Sequence, residues 1–199
     1  MQYEKLKSLI KKVEEYGRAN KREAIFNVLN LSKKSQKYLL ISERPSKETD
    51  KTKGADEKHS GFEERVIALF NFGSDDKEKL EKIRVDYKKY RNTFFNNVYW
   101  THYSKERGSR APDKFWADDN LKEEIRLAEP TLIITFGRLS TDFILGKGIL
   151  KDRVNRINDY NGISVICCLH PSKHWNIKRR PDYKFYETWG LIRSKIKLT

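Results

Sequence analysis

The sequence predicts an α/β protein, a three-layer α/β/α sandwich with a central four-stranded, mainly parallel sheet. Short, unbroken apolar segments at 37–42, 131–137 and 163–168 have the length of strands. Because nearly every position in them is apolar, we expect these strands to be covered on both faces, as in parallel sheets. Segments with helical spacing lie between them, which is typical of a sheet between two helical layers. The 199 residues predict a single domain, 1–199, with 1–36 as a helical segment packed on it.

Local patterns define the individual elements. Leu6, Ile10 and Val13 recur at helical spacing and predict a helix over 3–16. The strand at 37–42 ends before Pro45, because proline cannot donate to a strand ladder. The other predicted elements, in chain order, are helices at 21–31, 62–71 and 76–90, a strand at 93–100, a helix at 113–129, the strand at 131–137, a helix through 145, the strand at 163–168 and a helix at 182–197. The predicted loops are the polar stretch 46–60 and the basic stretch 103–112.

The chain is strongly basic, with 42 Lys and Arg against 28 Asp and Glu and a formal net charge of +14. A protein with this excess usually meets a polyanion. Nucleic acid is the first candidate partner and an anionic membrane surface the second. The alternative is a generally basic protein without such a partner.

The two cysteines are adjacent, Cys167 and Cys168. Neighbouring strand residues point to opposite faces, so a disulfide between them is not expected. Without a disulfide framework, an intracellular location in the cytoplasm or nucleoid is expected. The sequence has no apolar run of membrane-spanning length and no signal-peptide pattern at its N-terminus.

A histidine follows the last predicted strand, in "LHPSKHW" at 169–175. The carboxyl ends of parallel strands form the usual ligand site of an α/β sheet. Three segments are expected to meet at that edge: "SERPS" at 42–46, the region of Asn97, and the segment that begins at His170. The alternative interpretation is a plain turn, in which Pro171 stops the strand and His170 has no role.

Four blocks in this order resemble the uracil-DNA glycosylase superfamily, in particular its family 4 enzymes. The blocks are "LLISERPS", "FFNNVYW" with the later "RGSRAP", "EPTLIITFGRLSTDFILG" and "CLHPS". Together they extend over roughly residues 37 to 195. The resemblance implies a monofunctional DNA glycosylase, which hydrolyses the N-glycosidic bond of a deaminated base and so initiates base excision repair. Uracil is the default substrate, and hypoxanthine or xanthine is the alternative.

The chain also departs from the family pattern. The first motif, Ser42 to Ser46, has neither of the family's glycines, which leaves open how water or the base is held. The family 4 enzymes bind an iron–sulfur cluster through four cysteines, and Thr101 stands where one of them would fall. We therefore expect no iron–sulfur cluster and no other cofactor. The aromatic residue that stacks on the base is His59 by position, with Phe62 as the alternative.

Three residues are expected to carry the chemistry. His170 is a candidate donor to a base carbonyl, and a donor in a dry site can lower the barrier by several kcal/mol. Glu43 can orient or deprotonate water and favour the cationic sugar; the alternative is a surface glutamate paired with a cation. The carboxamide of Asn97 suits the edge of uracil, although a shift of one residue would assign this role to Asn96. The substrate-binding set is completed by Ser42 and Ser172, from the two motifs that the resemblance identifies.

Extruding a base leaves a gap in the duplex, and the extrusion costs about a few kcal/mol. Trp175 or Ile177 is expected to fill this gap, the alternative for Trp175 being packing against the last helix. Phosphate contacts are expected from the remaining basic residues near the predicted edge, for which simple solvation is the alternative. These residues are Arg44, Lys105, Arg107, Arg110, Lys173, Lys178, Arg179 and Arg180.

Three other interpretations stay open. The spacing of Cys167, His170 and His174 is compatible with zinc, but Cys167 is predicted inside a core strand, so we expect no metal site. A non-catalytic DNA-binding module would keep the fold and the basic surface without turnover. A basic structural or interaction protein would share only its α/β architecture with the glycosylases. The leading expectation is a monomeric enzyme whose partners are damaged DNA and other repair or replication proteins. We do not expect it to bind a membrane.

Overall fold

The structure is a computed structural model. It describes residues 2–20, 36–43, 61–105, 119–171 and 181–198. The predicted helix at 21–31 and the predicted loop at 46–60 lie outside these ranges. The α/β class and the mostly parallel sheet are confirmed.

Five strands form one sheet within the described ranges, in the order β2-β1-β3-β5-β4. The strands are β1 (Tyr38–Ser42), β2 (Val98–His102), β3 (Leu132–Phe136), β4 (Ile157–Tyr160) and β5 (Ile163–Cys168). β1 pairs in parallel with both β2 and β3, and β3 pairs in parallel with β5. β4 pairs antiparallel with β5 at one edge.

The prediction of four strands missed β4. Its burial alternates between exposed and half-buried, and Asn158 and Asp159 are poor strand formers. Asn161 and Gly162 join β4 to β5, both with positive φ, at 51° and 82°. Positive φ at both positions is the geometry of a tight hairpin turn, and Asn-Gly is its strongest sequence signal.

Helices cover both faces of the sheet. They are α1 (Tyr3–Ala19), α2 (Gly61–Phe72), α3 (Lys77–Val85), α4 (Tyr87–Asn97), α5 (Asn120–Ala128), α6 (Arg138–Leu145) and α7 (Phe185–Lys195). One core joins α2, α4 and α7 to the face that carries Leu40, Ile134 and Ile166. The second core joins α1, α5 and α6 to the opposite face, which carries Leu39 and Ile133. No helix in the described ranges is long and apolar enough to span a bilayer.

Two helix boundaries differ from the prediction. The helix predicted over 76–90 is two helices, which meet at Asp86, and Asp76 caps α3 by accepting a hydrogen bond from the Lys79 N–H at 3.0 Å. The strand predicted over 93–100 begins only at Val98, because residues 93–97 form the last turns of α4. In this segment the packing of Phe94 and Phe95 against the core overrides their preference for strands.

Candidate active site

The carboxyl edge of the parallel strands brings Glu43 and His170 to the same side of the molecule. In register, Ser42 pairs with His102, and Phe136 pairs with Cys168. The residues that follow these strand ends therefore lie along one edge of the sheet, which we call the carboxyl edge. This placement agrees with the sequence prediction for Glu43 and His170.

Glu43 is held by the beginning of α6. Its Oε1 accepts a hydrogen bond from the Leu139 N–H at 3.1 Å. The positive end of the helix dipole favours a carboxylate here. Gly137 makes the approach possible, because a Cβ at this position would lie 2.4 Å from Oε1 of Glu43. Gly137 also has φ +86°, which favours glycine.

His170 belongs to a group of aromatic rings at the carboxyl edge. Its imidazole is stacked on the ring of Phe62, with centroids 4.8 Å apart and planes within 4°. Phe136 meets His170 edge-on at 6.0 Å, and Phe62 meets Trp100 edge-on at 5.6 Å. With His102, whose ring centroid is 6.3 Å from that of Trp100, these residues form what we call the ring cluster.

His102 ends β2 and is 93% buried, with 7% of its surface exposed. Its Nδ1 lies 2.5 Å from Oγ of Ser42, and the same Oγ accepts a hydrogen bond from Nε1 of Trp100 at 3.0 Å. Burial, and secondarily the positive charges of Lys105 and His170, lower the pKa of His102 from 6.5 to about 3. The imidazole is therefore neutral at neutral pH.

The structure contradicts the role predicted for Asn97. Asn97 is the last residue of α4 and precedes β2, so it lies at the amino edge of the sheet, opposite to Glu43 and His170. Its side chain is buried and donates to the Thr93 carbonyl at 2.8 Å. Asn96 lies in the same turn, so the alternative assignment to Asn96 is wrong for the same reason. The error follows from starting the predicted strand at residue 93, whereas β2 begins at Val98.

Ser42 and Lys105 also differ from their predicted roles. Ser42 is fully buried, and its hydroxyl group contacts Trp100 and His102. It positions these side chains and is too deep to contact a substrate directly. The role predicted for Lys105 as a DNA contact is wrong, because its side chain is fully buried against Glu124.

The ion pair between Lys105 and Glu124 ties the end of β2 to α5. Nζ of Lys105 donates to Oε2 of Glu124 at 2.5 Å and to the His102 carbonyl at 2.7 Å. Tyr99 and Thr101 donate their hydroxyl groups to the same carboxylate. Burial lowers the pKa of Lys105, while Glu124 opposes this shift. The pair is structural, and it fixes the backbone that carries His102.

The other predicted site residues lie outside the described ranges. These are His59, Ser172, Arg44, Arg107, Arg110, Lys173, Trp175, Lys178, Arg179 and Arg180, together with Ile177 and the possible zinc ligand His174. Within the described residues, no group of three or more His, Cys, Asp or Glu side chains is arranged to hold a metal ion. Cys167 packs in the core of α1, α5 and α6, whereas the ring of His170 contacts Phe62 on the other side of the sheet.

Sequence reasoning missed His102, Trp100, Gly137 and Leu139 as parts of the site. Trp100 and His102 lie in "VYWTH", so a strand predicted over 98–102 would have placed His102 at the carboxyl edge. The glycine that ends "TLIITFG" was the available signal for a close approach after β3.

The chain was also compared with known proteins. No model of a protein family matches it. No curated protein matches it with significance.

Proposed function

We propose that the protein is a monofunctional DNA glycosylase that removes a deaminated base, with uracil as the default substrate and hypoxanthine or xanthine as the alternative. The observation that carries the proposal is that a carboxylate, Glu43, and an imidazole, His170, both lie at the carboxyl edge, and that His170 is stacked on an aromatic ring there. The finer fold in this proposal is a glycosylase-like α/β/α sandwich, which the helices on both faces of the sheet support. The net charge of +14 supports DNA as the partner.

Glu43 would act on the sugar and the water. Breaking an N-glycosidic bond leaves positive charge on the sugar, and an adjacent carboxylate stabilises that charge and can take a proton from water. The hydrogen bond from Leu139 holds one oxygen of Glu43, which fixes the direction of the carboxylate. A preorganised group of this kind loses little free energy to reorientation during the reaction.

His170 and Phe62 would bind the base. Both rings are partly exposed, and their parallel stack presents flat aromatic surface at the carboxyl edge. Stacking of an extruded base on an aromatic side chain contributes about 1–3 kcal/mol. Phe62, one of the two stacking candidates from the sequence, lies in this cluster, and the other, His59, is outside the described ranges. His170 would donate to the base as negative charge develops on it.

The test is single-turnover cleavage of an oligonucleotide that carries one uracil, with parallel substrates that carry hypoxanthine and xanthine. Glu43→Gln and His170→Ala should each lower the rate about 10²- to 10⁴-fold, with DNA affinity changed much less. Asp76→Asn is the matched control, because Asp76 also accepts a backbone N–H at a helix N-terminus but lies at α3.

The catalytic roles of Glu43 and His170 would be refuted if both variants cleave at the same rate as the Asp76→Asn control. Salt-dependent DNA binding by the wild type, without an abasic product from any of the three substrates, would instead identify a non-catalytic DNA-binding module.

A further inference from the structure

One ring nitrogen of the buried His102 imidazole has a hydrogen-bond partner in the described residues, and the other has none. Nδ1 is 2.5 Å from Oγ of Ser42, whereas Nε2 has no hydrogen-bond partner in the described part of the chain. Nε2 keeps some accessible surface, because within the described residues the fully buried side-chain atoms without a partner are Nη2 of Arg91 and Nε1 of Trp189. A donor at such a position can take a partner from a bound molecule, and leaving it unpaired in a complex costs about 1–3 kcal/mol. His102 is 7% exposed and close enough to His170 to be affected by its charge. The vacant nitrogen therefore belongs to the ring cluster.

The hydrogen bonds around Ser42 favour one tautomer of His102. The indole of Trp100 can only donate, so Oγ of Ser42 accepts from Nε1. The single hydroxyl proton of Ser42 then has two possible acceptors, Nδ1 of His102 at 2.5 Å and the Thr101 carbonyl at 3.4 Å. The Thr101 contact is near the upper limit for a hydrogen bond, so the hydroxyl proton is assigned to the shorter contact with Nδ1. Nδ1 is therefore an acceptor, and the proton of the neutral imidazole is on Nε2.

We propose that the Nε2–H of His102 is a specificity-determining donor, which recognises the carbonyl oxygen that deamination creates on a base. This inference rests on the proposed glycosylase function. Deamination replaces an exocyclic amino group, a hydrogen-bond donor, with a carbonyl oxygen, an acceptor. Uracil, hypoxanthine and xanthine share this change, whereas cytosine and adenine keep the amino group.

A neutral donor suits this discrimination for two reasons. The Nε2–H pairs with a carbonyl oxygen but leaves an amino group facing another donor, and a buried unpaired donor is strongly disfavoured. Ser42 blocks the alternative tautomer, in which Nε2 would become an acceptor for the amino group. The low pKa of His102 keeps the ring neutral, which avoids adding a buried cation beside Lys105.

The experiment compares His102→Leu and His102→Gln with the wild type on oligonucleotides that carry uracil or cytosine at one position. Leu removes the donor, so uracil cleavage should fall about 10²- to 10³-fold. The Gln amide can present either its NH₂ or its oxygen, so His102→Gln should keep uracil cleavage within about tenfold of wild type and reduce the preference for uracil over cytosine. Ser42→Ala should also reduce this preference, because the tautomer is no longer fixed.

A second measurement does not depend on activity. The ¹⁵N chemical shifts of the His102 ring in the wild-type protein should show a neutral Nε2–H tautomer at pH 7. A proton on Nδ1, or a charged ring, would overturn the inference.

The kinetic outcomes separate this inference from the proposed function. Suppose that the wild type cleaves uracil. An unchanged rate in His102→Leu, or an unchanged preference for uracil in His102→Gln, would then overturn the role of His102 but not the proposed function. Failure of the wild type to cleave any deaminated base would overturn the proposed function, and the inference with it.

Discussion

Replacing Gly137 with alanine should disable the carboxylate of Glu43 without unfolding the protein. A Cβ at position 137 would lie 2.4 Å from Oε1 and 2.8 Å from Cδ of Glu43. Real Cβ atoms essentially never approach closer than 3.0 Å, so Oε1 must move by at least about 0.6 Å, the difference between these two distances. This movement stretches the 3.1 Å hydrogen bond from Leu139.

The chain offers a matched control at Gly146. Gly137 has φ 86° and ψ −177°, and Gly146 has φ 76° and ψ 170°, so alanine introduces nearly the same backbone strain at both sites. That strain is about 1–3 kcal/mol. Nothing lies within 4 Å of a Cβ at Gly146, whereas the Cβ at Gly137 meets Glu43. The two variants should therefore lose similar stability, and the displacement of Glu43 is the main difference between them.

The assay is single-turnover cleavage of uracil-containing DNA, with stability measured by urea unfolding. Displacing a catalytic group by about 1 Å can lower a rate about 10²-fold, and we expect a loss of this size for Gly137→Ala but not for Gly146→Ala. Equal rates for the two variants at equal stability would show that the position of Glu43 does not matter for the reaction.

Three further predictions concern Lys105, His102 and Phe62. Lys105→Met leaves Glu124 buried without its cation, so the free energy of unfolding should fall by about 3–5 kcal/mol. The salt dependence of DNA binding should not change, and a flatter dependence would show that Lys105 does contact a phosphate. Folding lowers the pKa of His102 from 6.5 to about 3, so the unfolded state binds more protons between these values and stability falls as the pH drops through this window. Between pH 7.5 and pH 5.0 the loss is about 2 kcal/mol, and His102→Gln should lack it; identical pH profiles for wild type and variant in urea unfolding would contradict the neutral imidazole. Phe62→Leu should lower uracil cleavage about 10- to 100-fold through lost stacking, whereas Phe72→Leu, on the same helix and in contact with Tyr90, should not; equal rates for the two would exclude Phe62 as the stacking residue.

The sequence predicted the parts of the fold that depend on long apolar runs. β1, β3 and β5 are buried at almost every position, and their composition alone distinguishes them from the polar connections. β4 is an exposed edge strand, so its composition carried no such signal, and only the Asn-Gly turn before β5 indicated it.

The boundary between α4 and β2 shows why part of the site was not predictable. Residues 93–97 have strand-forming side chains but are helical, because Phe94 and Phe95 pack into the core from a helix. This error moved Asn97 to the wrong edge of the sheet and hid His102. Tertiary contacts of this kind override local preference, and one sequence does not display them.

Glu43 and His170 were predictable because each directly follows an apolar strand, and parallel strands end at a common edge. The burial of Lys105 was not predictable, because its counterion Glu124 lies on a helix distant in sequence. A lysine in a basic segment has the same local pattern whether it faces DNA or a buried carboxylate.

The proposed function requires that this chain hydrolyses the N-glycosidic bond of a deaminated base. The most direct measurement is the mass-spectrometric detection of the free base and the abasic strand after incubation of excess wild-type protein with oligonucleotides that carry one uracil, hypoxanthine or xanthine. We expect free base and abasic strand in equal amounts from at least one of these substrates. Recovery of every oligonucleotide intact, under conditions where the protein binds it fully, would refute the proposed glycosylase activity.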